Sequence, residues 1–154
     1  MTTFDPTFVR QERTGWRDEK ISARHREWGY NCPAVDIDFL VVEYNVGKPV
    51  ALIEYKHEGA MMPNFNHPTY RAIKALADMS SLPFMVVFYN NESWWFRVYP
   101  QNDRARKIYK EATLLTEKVY VTSLYYMRNR VIEAEVLSKL SDKLPPMLAS
   151  GKAA

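Results

Sequence analysis

The sequence is poor in the residues that build disulfide or zinc sites, and it has no long apolar run. Its single cysteine, Cys32, excludes an internal disulfide framework, and its three histidines show no short ligand spacing that would favour a zinc site. No apolar stretch approaches the roughly 18 residues of a transmembrane helix, and no signal peptide opens the chain. A lone cysteine is typical of a reducing compartment. The sequence therefore predicts a cytoplasmic protein with no membrane partner.

Apolar and aromatic residues are abundant. The 154 residues are 47% hydrophobic, 14% aromatic and 25% charged, which is typical of a globular rather than a disordered chain. This length predicts one domain with a substantial core. The net charge of +3 permits a nucleic-acid partner without requiring one.

Residues 36–56, DIDFLVVEYNVGKPVALIEYK, contain two apolar runs on either side of a turn signal. The turn, Asn45-Val46-Gly47, predicts a hairpin with Gly47 in the left-handed conformation beside a bulge. Strand alternation then sets one face of charged and apolar pairs, while Ile37, Phe39 and Val41 line the other face. The facing pairs are Tyr44 and Lys48, Val42 and Val50, Leu40 and Leu52, Asp38 and Glu54, and Asp36 and Lys56.

This register predicts that Asp38 and Glu54 face each other, an arrangement of like charges that destabilises paired strands. A divalent cation between the carboxylates would replace repulsion with ligation, and oxygen ligands suit Mg²⁺ or Mn²⁺. Aspartate is also unfavourable on an apolar strand. The pattern favours a metal site; the alternative is a surface hairpin with an ordinary pair between a lysine and an aspartate.

An aspartate, a turn and then Glu-x-Lys resembles the pattern of the PD-(D/E)XK nuclease superfamily, and the resemblance covers roughly residues 14–90. It implies a restriction-endonuclease-like core and metal-dependent hydrolysis of DNA. It also implies that Asp38, Glu54 and the Tyr55 carbonyl hold Mg²⁺ or Mn²⁺, and that Lys56 positions or activates the attacking water. A second match to the tripeptide, Asp18-Glu19-Lys20, has no hairpin partner and is discarded.

The helix predicted over about 14–28, with Gly29 as its stop, offers a further acidic residue. The first helix of the superfamily often supplies one to the site, which makes Glu27 the nearest candidate and Glu19 the next; the alternative for either is a solvated helix face. Asp36 is a candidate neighbour of the metal ligands. Because residues 30–35 leave little room, the first strand of the superfamily must be very short, merged with the second strand, or absent.

A second helix is predicted from Pro68 to Met79, with Pro68 in its first turn. Ile73, Leu76 and Ala77 are expected to point inward, while Tyr70, Arg71 and Lys74 lie on one side near its start. The resemblance implies that this helix flanks the active site. Arg71 and Lys74 are therefore candidate contacts to DNA phosphates, and a solvated helix surface is the alternative.

The remaining elements complete a predicted α/β fold with a mixed sheet of four or five strands and helices on both faces. The core spans about residues 14–100 and a helical tail about 101–145 of one domain. The tail is the expected region for partner contacts or a homodimer. The predicted core also contains a buried strand over 83–89 and a strand over 94–99, in which Trp94 and Trp95 are core or base-stacking residues. The predicted features of the tail are an N-cap at Thr116 of a helix to about Arg130 and a helix over 131–140.

The function that the sequence predicts is a metal-dependent DNA nuclease. One alternative is a catalytically inactive nuclease-fold module that binds nucleic acid or a protein. The other is a carboxylate–metal hydrolase that acts on a small phosphoester.

Overall fold

A five-stranded mixed sheet forms the centre of the protein. The computed structural model describes residues 18–29 and 32–145. The strands lie in the sheet in chain order, with β2 and β3 parallel and the other neighbours antiparallel. This arrangement confirms the predicted α/β class and mixed sheet. The strands are β1 (Phe39–Glu43), β2 (Lys48–His57), β3 (Phe84–Tyr89), β4 (Phe96–Pro100) and β5 (Thr113–Leu115).

Helices connect and follow these strands, and the described part of the chain has C-terminal helices as predicted. None of the helices in residues 18–29 and 32–145 is long and apolar enough to cross a membrane. The helices are α1 (Glu19–Glu27), α2 (Pro68–Met79), α3 (Asp103–Arg106), α4 (Glu117–Met127) and α5 (Ala134–Leu137).

The two faces of the sheet are covered by different helices. On one face, Ile53, Met85 and Val98 pack around Tyr120 of α4, whose ring is 1% exposed. On the other face, Leu52 and Val86 belong to a cluster that includes α2. Because side chains alternate along a strand, Glu54 and Lys56 continue the face that Leu52 begins, which is the α2 face.

Helix α2 has the bounds that the sequence predicts, since its signals are local. His67 caps the N-terminus by accepting from Thr69 N–H, and Pro68 occupies the first turn. Ile73 is buried as predicted, together with Ala77, but Leu76 is 43% exposed. The buried stripe begins instead at Tyr70, because at 100° per residue Leu76 lies to one side of it.

The hairpin register is partly as predicted. Phe39, Leu40 and Val41 pair with Ile53, Leu52 and Ala51, and Gly47 has the predicted left-handed conformation (φ 63°). The pairing predicted near the turn is wrong, because a bulge after Val41 sets Val42 opposite Pro49 and Glu43 opposite Lys48. Pro49 has no N–H for the ladder, and a bulge is where a strand accommodates such a residue.

The start of β1 also differs from the prediction. The strand begins at Phe39, so Asp36 is not a strand residue paired with Lys56, and Ile37 is 44% exposed rather than part of an apolar face. No strand lies between Cys32 and Asp38. Within the described residues, the first strand of the resembled superfamily is therefore absent, which is one of the three alternatives that the sequence left open.

Helix α1 ends where Gly29, at φ 87°, was predicted to stop it. It begins at Glu19 behind an N-cap at Asp18, which accepts from Lys20 N–H at 2.9 Å. The discarded tripeptide match is therefore a helix start. The predicted beginning near residue 14 lies outside the described residues.

The C-terminal helices form as predicted, but their bounds differ from the predicted ones. Thr116 is the N-cap of α4 and accepts from Val119 N–H at 3.2 Å, as predicted. The helix ends at Met127 rather than near residue 130, and α5 is shorter than the predicted helix over 131–140. Strand β4 starts two residues later than predicted, because Trp94 has φ 54° and cannot extend the strand. Helix α3 and strand β5 were not predicted.

Glu43 fastens β1 to the segment that follows α4. Its carboxylate accepts from Arg128 Nε at 2.6 Å and from Arg130 Nη2 at 3.0 Å. Burial raises the pKa of Glu43, but the hydrogen bonds and charges of the two guanidinium groups outweigh burial, so the net pKa is lowered. The carboxylate is thus a compensated, structural anion.

Candidate metal centre

Asp38 and Glu54 come together at the edge where β1 begins. The Tyr55 N–H donates to Asp38 Oδ2 at 3.2 Å, which holds the aspartate carboxylate against β2. The Glu54 side chain is only 15% exposed, and, in addition to burial, the charge of Asp38 lies near enough to raise its pKa. The two carboxylates are therefore neighbours, although the ladder of β1 stops one pair short of them.

The charge of this pair is only partly compensated. Burial raises the pKa of Glu54, the Asp38 charge raises it further, and Lys56 lowers it; the net pKa is raised. A raised pKa means that the folded protein disfavours the carboxylate form of Glu54. A divalent cation between the oxygens would remove that penalty, so the donor set fits a hard cation such as Mg²⁺ or Mn²⁺.

Lys56 lies on the same face, with its Nζ 3.4 Å from Glu54 Oε1. Burial lowers the pKa of Lys56, but the neighbouring Tyr70 hydroxyl and Glu54 carboxylate outweigh burial and the net pKa is raised. Lys56 is therefore an ammonium group at neutral pH. It can donate hydrogen bonds and supply positive charge, but it is not suited to accept a proton.

Tyr70 is the residue of this site that sequence analysis missed as a functional candidate. It is 8% exposed in the first turn of α2, and its hydroxyl interacts with Lys56. The available signal was its position in the helix that follows the Glu-x-Lys strand. Periodicity alone did not separate it from its exposed neighbour Arg71, because its contact depends on how α2 crosses the sheet.

The side chain of Tyr55 points to the opposite face and anchors β2 beneath α4. Its hydroxyl is 2.6 Å from the Tyr120 hydroxyl, and its ring meets Phe39 edge-on at 5.1 Å. Burial raises the pKa of Tyr120 well above its ordinary value, and Tyr55 raises it further. The backbone between Glu54 and Lys56 is thus held by a packed aromatic cluster, which gives the predicted carbonyl ligand a rigid support.

Among the described residues, neither acidic candidate of α1 joins Asp38 and Glu54 in a metal-binding group. Glu27 accepts from Arg24 Nη1 at 3.1 Å within α1, and its side chain is 66% exposed. Glu19 is exposed in the first turn of the same helix. Asp36 lines a cavity of about 760 Å³ together with residues of α1 and Cys32. The structure therefore joins Asp38, Glu54 and Lys56 but pairs Glu27 within its own helix.

The predicted phosphate contacts lie on α2 beyond Tyr70. Arg71 is exposed to solvent. Lys74 forms an exposed ion pair one helical turn along, with Nζ 3.3 Å from Asp78 Oδ2. Both cations thus belong to the helix that supplies Tyr70, and their contact with DNA stays a prediction.

Comparison of the chain with protein-family models, with curated proteins and with solved structures found no match. Within residues 18–29 and 32–145, no group of three or more His, Cys, Asp and Glu side chains is placed to hold a metal ion.

Proposed function

We propose that this protein is a metal-dependent DNA nuclease of the PD-(D/E)XK type, which hydrolyses phosphodiester bonds with water. The observation that carries the proposal is the grouping of Asp38, Glu54 and Lys56 at one edge of the sheet. A carboxylate pair suits a divalent metal, and an ammonium group 3.4 Å from Glu54 suits an anionic substrate.

The metal ligands in this proposal are Asp38, Glu54 and the Tyr55 carbonyl, with Mg²⁺ or Mn²⁺ as the ion. When bound, the ion would supply Lewis-acid polarisation of the phosphate and a water of lowered pKa. Burial and Asp38 raise the pKa of Glu54, so the fold alone disfavours its negative charge. A bound cation would stabilise that negative charge, which supports the assignment of Glu54 as a metal ligand.

The ammonium group of Lys56 orients the attacking water or a phosphate oxygen by hydrogen bonding. Its raised pKa, which Tyr70 and Glu54 cause in spite of burial, supports this role over that of a general base. Tyr70 positions Lys56 from α2. The Arg71 and Lys74 side chains contact phosphates along the DNA on the same helix.

The direct test is cleavage of plasmid, linear and branched DNA with Mg²⁺ or Mn²⁺ by the wild type and by Glu54→Gln. Glu111→Gln is the matched control, because Glu111 is an exposed glutamate between α3 and β5. Cleavage that is lost only in Glu54→Gln supports the proposal. Full activity in Glu54→Gln contradicts it.

The main rival is an inactive nuclease-fold module. The observation that favours it is the ion pair between Glu54 and Lys56, because an internal cation competes with a metal for the carboxylate. Binding of DNA without cleavage under every metal and substrate condition would support this rival. Hydrolysis of a small phosphoester but not of DNA would support the small-molecule alternative.

We further propose a cytoplasmic location, and a homodimer formed through the C-terminal helices. Val119 and Tyr126 on α4 are 50% and 74% exposed, and Val131 beyond it is 91% exposed. Exposed apolar residues in one region are typical of a contact surface. Sedimentation of the wild type and of Tyr126→Ser over a range of concentrations tests the dimer.

A further inference from the structure

A groove lies beside the candidate metal centre on the same face of the sheet. Its volume is about 540 Å³, within the range of small-ligand sites. Phe88, Trp95 and Tyr99 supply aromatic walls, and Arg97 supplies a guanidinium group. Glu58 and Met62, from the segment after β2, line another side.

The sheet register fixes the groove relative to Lys56. Lys56 pairs with Phe88 across β2 and β3, and Phe88 pairs with Arg97 across β3 and β4. Directly paired residues project from the same face, so Lys56, Phe88 and Arg97 form one row. Two strand spacings of about 4.8 Å separate the ends of this row by roughly 10 Å at the backbone.

The chemistry of the groove fits one nucleotide. Aromatic side chains offer flat surfaces on which bases stack regardless of sequence. Arg97 is half-buried and has no carboxylate within ion-pair distance among the described residues, and a guanidinium group is suited to bind phosphate. On the side of the groove away from Arg97, the Glu58 carboxylate accepts a hydrogen bond from the Asn90 side-chain amide. The negative charge of this carboxylate disfavours phosphate, but its oxygens can accept hydrogen bonds from the amino groups of bases.

We propose that this groove binds an unpaired nucleotide next to the bond that is cut, with its base against Trp95 and Tyr99 and its phosphate on Arg97. The proposal rests on the nuclease function and adds a substrate class to it: DNA with single-stranded or splayed nucleotides. A base in an intact duplex is stacked between its neighbours and must leave the stack before it can enter a groove.

Binding is measured by fluorescence anisotropy with a chelator present, so that cleavage plays no part. The probes are a labelled single strand, a flap and a blunt duplex of the same sequence, and the same single strand with abasic sites. Wild-type protein is expected to bind the single strand and the flap more tightly than the duplex. Abasic sites should remove much of that advantage, because they leave the phosphates and remove the stacking surfaces.

Trp95→Leu is expected to weaken binding of the single strand roughly 5- to 150-fold, the range for loss of one stacked base. Trp95→Phe should keep most of the affinity. Trp94→Leu is the matched control, because Trp94 stacks on Tyr89 at 6.3 Å between ring centroids and does not line the groove. Arg97→Gln should reduce the slope of log affinity against log salt by about 0.7 for a single strand, whereas Arg104→Gln on α3 serves as its control.

Equal wild-type affinity for the duplex and the single strand, or no loss on introducing abasic sites, would overturn the groove proposal. The abasic probe needs no variant, so it decides the matter even if Trp95→Leu does not fold. If the protein prefers unpaired DNA through Trp95 but cleaves no DNA, the groove proposal is supported and the nuclease proposal is rejected. Cleavage of duplex and flap alike, unaffected by Trp95→Leu, would retain the nuclease and reject the groove.

Discussion

Two glutamates of the same hairpin, Glu43 and Glu54, have side chains withdrawn from solvent to a similar degree, at 10% and 15% exposure. Burial raises the pKa of both. Glu43 meets two guanidinium groups, which reverse the effect and leave its pKa lowered. Glu54 meets the like charge of Asp38 and a single ammonium group, and its pKa stays raised.

The difference separates a carboxylate whose charge the protein compensates from one whose charge it compensates only in part. The hydrogen bonds of Glu43 to Arg128 and Arg130 compensate its charge within the protein. At Glu54 the local charge is left incompletely compensated, which is common at functional sites and costs stability there.

The largest expected effect is on cleavage. Asp38→Asn, Glu54→Gln and Lys56→Gln should each lower the cleavage rate on the order of a thousandfold, or about 4 kcal/mol of transition-state stabilisation, while the fold remains intact by circular dichroism. Glu43→Gln should retain cleavage below its own melting temperature. Loss of activity in folded Glu43→Gln, with retention in Glu54→Gln, would reverse the roles assigned to the two glutamates.

The next effect concerns metal. Millimolar Mg²⁺ or Mn²⁺ should raise the melting temperature of the wild type, because a ligand at a hundred times its Kd stabilises by about 2.7 kcal/mol. Asp38→Asn should leave the metal-free protein at least as stable, since it removes repulsion with Glu54, and should lose the rise. Asp36→Asn is the matched variant and should keep the rise. The opposite result would make Asp36 the metal ligand.

Glu43→Gln is expected to lower the free energy of unfolding by about 2 kcal/mol. The substitution leaves Arg128 and Arg130 without their anion, and hydrogen bonds between charged groups of this kind contribute about that much. Urea denaturation measures the change, with Glu111→Gln as an exposed control. A change no larger than that of the control would show that the ion pairs of Glu43 with Arg128 and Arg130 do not stabilise the fold.

The two glutamates should give opposite pH dependence of stability. Burial and Asp38 raise the pKa of Glu54, so the folded state binds more protons at this group than the unfolded state does. The contribution of Glu54 to the free energy of unfolding therefore falls as pH rises from 4.5 through the raised pKa. Burial raises the pKa of Glu43 too, but Arg128 and Arg130 lower it overall, so its stabilisation is lost as pH falls below 4.5. The free energy of unfolding of Glu54→Gln and of Glu43→Gln is measured by denaturation between pH 3 and 7. Each variant should lack one of these two pH dependences, and the same pH dependence in both variants would contradict the assignment.

The smallest effect concerns DNA phosphates. Arg71→Gln and Lys74→Gln should each lower the slope of log affinity against log salt by about 0.9 on duplex DNA, without changing sequence preference. Lys107→Gln, after α3, is the control. An unchanged slope would assign Arg71 and Lys74 to the solvated face of α2.

The sequence by itself determined the features that depend on neighbouring residues. Pro68 starts α2, Gly29 ends α1, Thr116 caps α4 and Gly47 takes the left-handed turn position, since each signal acts within a few residues. The alternation of β2 also placed Glu54 and Lys56 on one face, independently of how the helices pack. The predicted register was wrong close to the turn because Pro49 has no N–H for the ladder and a bulge accommodates it.

Only the tertiary structure decided which charges meet. Glu43 and Arg128 are 85 residues apart in sequence, and their contact requires α4 to lie over the face of the sheet that Tyr55 also enters. Tyr70 reaches Lys56 only because α2 crosses from β2 to the parallel strand β3, and Arg97 joins the row of Lys56 only through β3. Local propensity cannot specify such contacts, because they depend on strand order and on the packing of whole helices against a sheet.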